Sequence, residues 1–328
     1  MNSSVEEASP LIRYFSGSVH LLLLFASTCG NVLLVAVFVK GHTQFKSVTF
    51  FVMASQMLVC DIVGLIVSFI LDVPLTFSGY LVANPNSAPF PQLYIAFVDG
   101  IGAFVYVATI LFAMLLALNR FCIFMAPSVD RFLFRRPNIF ISISIVWGYI
   151  GFTMTVWLIY MIATLMKNSG RLVTFLISFL TVAKIVIGEC FPIAMLILYF
   201  IIFAKIRYDS GGFRCTRILI QTRSISKLEK TFLIQSFIIC AMYEFRYAAF
   251  YIMPDNASHG QWPYIIRLLR QSTSVLMLSI HAIVIFSSNA KVRHILLRET
   301  FFAQILHFLP KRYFVEKSTP VASIPPGT

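Results

Sequence analysis

Residues 92–118 read QLYIAFVDGIGAFVYVATILFAMLLAL, a run of 27 in which Asp99 is the only charged side chain. An α-helix rises about 1.5 Å per residue and the hydrocarbon layer of a bilayer is about 30 Å thick, so about 20 apolar residues suffice to cross it. The run predicts a membrane span. Six further runs qualify outward from it, near 15–39, 48–72, 138–165, 173–204, 229–253 and 262–288. The fifth run in chain order is long enough to tilt or to project past the bilayer. The sixth and seventh are interrupted by Glu244, Arg246, Arg267 and Arg270. Composition agrees: 59% of the 328 residues are hydrophobic and 12% are charged, too few to cover a water-soluble surface. The six cysteines stand singly, with no C-x-x-C pair and no dense cluster, so neither a disulfide scaffold nor a zinc framework is present in the pattern.

The net charge of +13 lies mostly in loops between these runs. Lys and Arg accumulate in short cytoplasmic loops, which sets the direction of insertion. With the amino terminus outside, 19 of the 26 basic residues fall in cytoplasmic segments, and the loops at 73–91 and 254–261 hold none. Seven of the 19 lie in the 205–230 loop, beside two acids. Both glycosylation sequons, at Asn2 and Asn256, then fall outside. The first run lacks a small-residue cleavage pattern and reads as a span, not a signal peptide. A basic patch on a soluble domain, which nucleic-acid binding needs, is missing.

After the seventh run, residues 290–310 alternate polar and apolar groups at helical spacing and predict an amphipathic helix lying at the inner interface. The division expected is an extracellular amino terminus at 1–14, a seven-span domain at 15–289, the interfacial helix at 290–310, and a disordered cytoplasmic tail rich in Pro, Ser and Thr at 311–328. The expected fold class is an all-α integral membrane seven-helix bundle with an interfacial eighth helix.

Within the runs, landmarks recur one set per helix and in order. They are Gly30-Asn31-Val32, Leu58-Val59-Cys60-Asp61, Leu118-Asn119-Arg120-Phe121, Trp147, Pro192, Phe237-Ile238-Ile239-Cys240 and Asn289-Ala290-Lys291. Over essentially the whole chain this set resembles the rhodopsin-like G-protein-coupled receptors. Three features, Val73-Pro74-Leu75-Thr76-Phe77, Ala117 to Cys122, and His281 with Asn289, are similar to the srx class of nematode serpentine chemosensory receptors. The resemblance implies a small external ligand bound between outer helix halves, a heterotrimeric G protein inside, the bilayer and a receptor dimer as further partners, and a plasma membrane or sensory cilium as the location. Departures accompany it. The cysteines that usually form an extracellular disulfide are missing, Ala241 and Tyr243 stand where Trp and Pro are common, and His281-Ala282-Ile283-Val284-Ile285 replaces Asn-Pro-x-x-Tyr.

The resemblance assigns G-protein coupling to Asn119, Arg120 and Phe121. Asn119 leaves Arg120 without an adjacent acid and Arg223 repels it from the sixth helix, so the inactive state is expected to be loosely restrained. A carboxylate at mid-membrane is costly and faces the interior with a partner. Asp61 is that residue, and by resemblance Asn31, Thr109 and His281 face it, either as a packing network or as a two-state switch. The outer half offers Asp99, Gly102, Tyr106, Lys184, Glu189, Glu244, Arg246 and Arg270, which either pair internally or line a ligand pocket. Gly102 stands where amine receptors carry an acid, which disfavours an amine; Lys184, Arg246 or Arg270 suits a carboxylate. Trp147, Pro192, Phe237 and Cys240 read as structural. No HExxH, metal-ligand spacing or phosphate-binding glycine loop occurs, so no enzyme, metal or cofactor is expected. The alternatives are a seven-helix protein without G-protein coupling, serving trafficking or dimerisation, and a transporter or channel.

Overall fold

The computed structural model describes residues 9–46, 48–78, 90–135, 137–165, 171–210, 227–252 and 262–299. Both sequons, most of the 205–230 loop, the run beyond residue 299 and the tail lie outside them. The described residues contain helices and no strand.

The first span is α1 (Pro10–Lys40), which starts five residues earlier than expected. Ser9 caps it by accepting from the Ile12 N–H at 3.4 Å, Pro10 supplies a first-turn φ, and the Gly41 N–H closes the other end on Val37 O. A single turn, α2 (His42–Phe45), follows. The second span is α3 (Thr49–Val67), then a π-turn over Ser68–Asp72, then α4 (Val73–Ser78). Pro74 accounts for the widened turn: it cannot donate a backbone hydrogen bond, and its ring crowds the carbonyl one turn back. The Val73 N–H reaches Ser68 O instead.

The third span is α5 (Gln92–Met125), followed by the short α6 (Pro127–Leu133). Then come α7 (Asn138–Leu165), α8 (Arg171–Ser210) with Pro192 inside it, α9 (Lys227–Ile252), α10 (Trp262–Ser288) and α11 (Ala290–Glu299). The seven long helices coincide with the seven apolar runs. Six of them are long and apolar enough to cross a membrane, and α9, with Glu229, Lys230, Glu244 and Arg246, falls short on composition. It is nevertheless part of the bundle, seated against α8, α10 and α5.

Helix α5 is central, touching α3, α7, α8 and α9, while α1 lies against α3, α4 and α10. The continuous core runs from Phe50, Met53 and Met57 through Ile110, Phe112 and Leu116 to Met195 and Tyr199. Outward-facing Phe25, Val32, Ile66, Phe152, Ile197 and Phe200 form an apolar exterior that suits hydrocarbon. The bundle is an all-α membrane helix assembly. Helix α11 packs on α1 and α10, with the Asn289 side chain capping it through the Val292 N–H at 3.2 Å.

Candidate functional site

The polar core sits midway along α3, α10 and α1. Asp61 and His281 are 1% and 2% exposed, and His281 Nδ1 lies 2.5 Å from Asp61 Oδ2. Helical placement explains the meeting: α3 buries Phe50, Met57, Cys60 and Asp61, and α10 buries Met277, His281 and Val284. The other two expected members are buried but turned elsewhere. Asn31 donates to Ser27 O of its own helix at 3.0 Å and to Leu278 O of α10 at 2.8 Å, tying α1 to α10. Thr109 donates to Val105 O one turn back at 2.8 Å and also reaches Cys60. The expectation that all three face Asp61 is therefore corrected to one bonded partner, His281. The freedom of small polar side chains to bond their own helix backbone explains the difference.

Residues not singled out from sequence complete this layer. Ser279 donates to Ser27 at 2.8 Å, and the Tyr243 ring stands 6.4 Å from that of His281. Tyr243 thus occupies the core where the resemblance led one to look for proline. Further in, Gln235 of α9 bonds Ser288 of α10. The rings of Phe237 and Tyr199 lie 6.2 Å apart, and Cys240 Sγ is 3.6 Å from Met195 Sδ. Trp147 donates to Gln56 at 2.9 Å and packs on Phe112, so it joins α7 to α3 and α5.

At the carboxy-terminal end of α5 the geometry departs from the expected one. Asn119 and Arg120 are 1% and 3% exposed, so the arginine is folded into the bundle instead of meeting water at its mouth. Its guanidinium lies over the Phe50 ring, 5.3 Å from the centroid. An acid is present after all. Asp130, on α6, accepts from Asn119 Nδ2 at 3.2 Å and sits within electrostatic reach of Arg120. Burial pushes the Asp130 carboxyl above its ordinary range, against the pull of Arg120. The expectation of a loosely restrained arginine is corrected: the acid comes from the next helix, not from the preceding residue. Phe121 is half-buried beside them.

Between α5 and α9, the structure brings Tyr106 and Arg246 together, the guanidinium 4.1 Å from the ring centroid. Glu244 acts electrostatically on Tyr106, and its Oε1 is buried with no hydrogen-bond partner. Gly102 leaves space on the same helix that a Cβ would narrow to 3.3 Å from Val67. Glu189 and Arg270 are half-buried, and the Lys184 side chain lies outside the described residues. Asp99 is exposed and faces Asp72, not the Tyr106–Arg246 pair. The expected single level of charges thus divides into two groups. The second lies among α1, α4 and α10, where Ser68 and Gln271 bond Asp72, and Thr76 donates to Gln271 at 3.0 Å. No group of three or more metal-ligating side chains occurs among the described residues.

No protein-family model matches the chain, and no curated protein matches its sequence.

Proposed function

We propose that this protein is a rhodopsin-like chemosensory receptor that spans the membrane seven times, binds a small external ligand between its outer helix halves and activates a heterotrimeric G protein. The observation that carries the reading is the cluster at the inner end of the central helix in which buried Asn119 and Arg120 meet the half-buried Asp130. An arginine there, held by a carboxylate on a separate short helix, gives the inner face two arrangements. In one Arg120 is retained; in the other it is released toward a partner. An agonist favours the second only as far as it binds that arrangement better. Support at the outer end comes from the Arg246–Tyr106 pair, which offers a cationic fork within an otherwise apolar wall. The srx-like class, the amino terminus outside, the interfacial lie of α11 and a ciliary location belong to the same proposal.

The buried position of Arg120 also favours a second reading, in which the protein adopts the receptor fold without coupling. G-protein activation in cells displaying the chain at their surface, across a panel of volatile and water-soluble ligands, separates the two. Signalling present in wild type and lost in Arg120→Ala at equal surface expression supports the receptor. Absence of signalling with and without ligand favours the uncoupled protein.

A further inference from the structure

A cleft opens between α1, α4 and α10 at the outer end, away from the Tyr106–Arg246 pair. Arg13 and Ser16 wall it on α1, Thr76 on α4, and Tyr264, Arg267 and Gln271 on α10. It measures about 260 Å³ with its solvent-open part included, and its enclosed part is small.

The polar groups around this space are unevenly satisfied. Gln271 is occupied by Thr76 and Asp72, and Asp72 also has Ser68 and lies within reach of Arg267. Arg13 is held less well. One of its terminal nitrogens reaches Ser78 O at a long 3.4 Å, and its Nε is buried without a hydrogen-bond partner. Among the described residues no carboxylate lies within ion-pair distance of Arg13. One turn below Ser16 on the same face of α1 is His20, fully buried, with neither ring nitrogen hydrogen-bonded and with Arg267 within electrostatic reach. Two guanidinium groups, Arg13 and Arg267, therefore line this small space, with the His20 imidazole one turn further along α1 and the Asp72 carboxylate behind Gln271. A water molecule there would satisfy donors and leave the positive charge; a cation would be repelled.

We propose that this cleft binds a small monovalent anion, either free chloride or the carboxylate head of an amphipathic molecule, between Arg13 and Arg267. The site reaches beyond the receptor reading and holds whether or not the protein couples to a G protein. Seated there, the anion bridges α1 and α10 and supplies the charge that Arg13 lacks.

Full-length protein in lipid nanodiscs, with sodium isethionate replaced stepwise by sodium chloride or by sodium butyrate at constant ionic strength, tests it by thermal melting and, for chloride, NMR line broadening. A saturable rise in Tm is expected in at least one series, since a ligand of the folded state stabilises by mass action. Saturation with chloride alone identifies the free ion, and with butyrate alone a carboxylate head. Arg13→Gln and Arg267→Gln, checked for intact helix by circular dichroism, should move the midpoint at least about tenfold higher. Arg13 is partly exposed, so its variant remains informative if the Arg267 change impairs folding. A Tm that stays flat or drifts without saturating in both series, or an unchanged midpoint in Arg13→Gln, overturns the proposal.

Discussion

His281 and Asp61 form a pair sealed from solvent, and the cost of such burial is recovered only while both partners remain. Replacing either one by Ala strands the other and should cost about 3–5 kcal/mol, whereas replacing both by apolar residues of similar size should cost less than the sum. Thermal melts of the two single variants and the double variant in one detergent check this; additive losses would mean that the two side chains do not act as a pair. A second consequence is electrostatic. The imidazole occupies the near face of the carboxylate, so exchanging sodium for choline should leave the melting temperature of wild type unchanged. At the inner end, Asp130→Asn keeps the acceptor for Asn119 but removes the charge that faces Arg120. Basal nucleotide exchange on a reconstituted G protein should rise severalfold in that variant; an unchanged rate at equal receptor density would show that the charge does not retain Arg120. The pH sense follows from the raised carboxyl. The folded chain holds this proton more tightly than the unfolded chain does. The resulting stabilisation is therefore full below the ordinary aspartate range and fades as pH climbs through the raised value. Acidification across that window also removes the charge holding Arg120, so basal exchange should climb in wild type and stay level in Asp130→Asn.

Two glycines distinguish packed from unpacked faces among the helices. A Cβ on Gly100 of α5 would lie 2.2 Å from the Trp157 ring of α7, while one on Gly148 of α7 meets nothing within 4 Å. Gly100→Ala should therefore destabilise by about 1–3 kcal/mol through forced displacement of a rigid indole. Gly148→Ala should be neutral or stabilise by up to about 1 kcal/mol through helix propensity. Parallel melts read the difference, and equal effects would mean that α5 and α7 do not approach so closely. The long helices were legible because bilayer thickness imposes a minimum apolar length, which survives any arrangement of neighbours. The π-turn at Ser68–Asp72 was not, since Pro74 announces a disturbance without saying whether the helix kinks, ends or widens. Nor was Asp130: its value lies in the fold that returns α6 to Asn119, eleven residues earlier, and a count of loop charges is blind to that return. Asn31 and Thr109 were placed beside Asp61 by resemblance alone, and a resemblance does not say which backbone carbonyl lies nearest, which is what decides their hydrogen bonds.

For the whole molecule, the distribution of basic residues predicts one orientation, with Asn2 outside the cell. Expression in a glycosylating host should give a species that shifts on deglycosylation and is lost in Asn2→Gln, and a carboxy-terminal tag should be reached by antibody only after permeabilisation. A tag accessible on intact cells would reverse the topology and with it the assignment of Arg120 to the inner face. Long-range charge placement was the least legible layer. Arg13 and Arg267 wall one cleft across nearly the full length of the chain, and only the packing of α1 on α10 brings them together.

Helix α10 contributes to three of the polar groups described: Arg267 at the cleft, His281 in the core and Ser288 at the bond to Gln235. These residues are two and then one heptad apart, so at about 1.5 Å per residue they cover roughly 30 Å of depth. They drift around the axis by only about 20° per heptad. All three therefore lie close to one line along a single rigid rod. A small turn of that rod about its own axis displaces an outer guanidinium, a buried imidazole and an inner hydroxyl together. Torque applied at one end is delivered at the other without any relay of side chains in between.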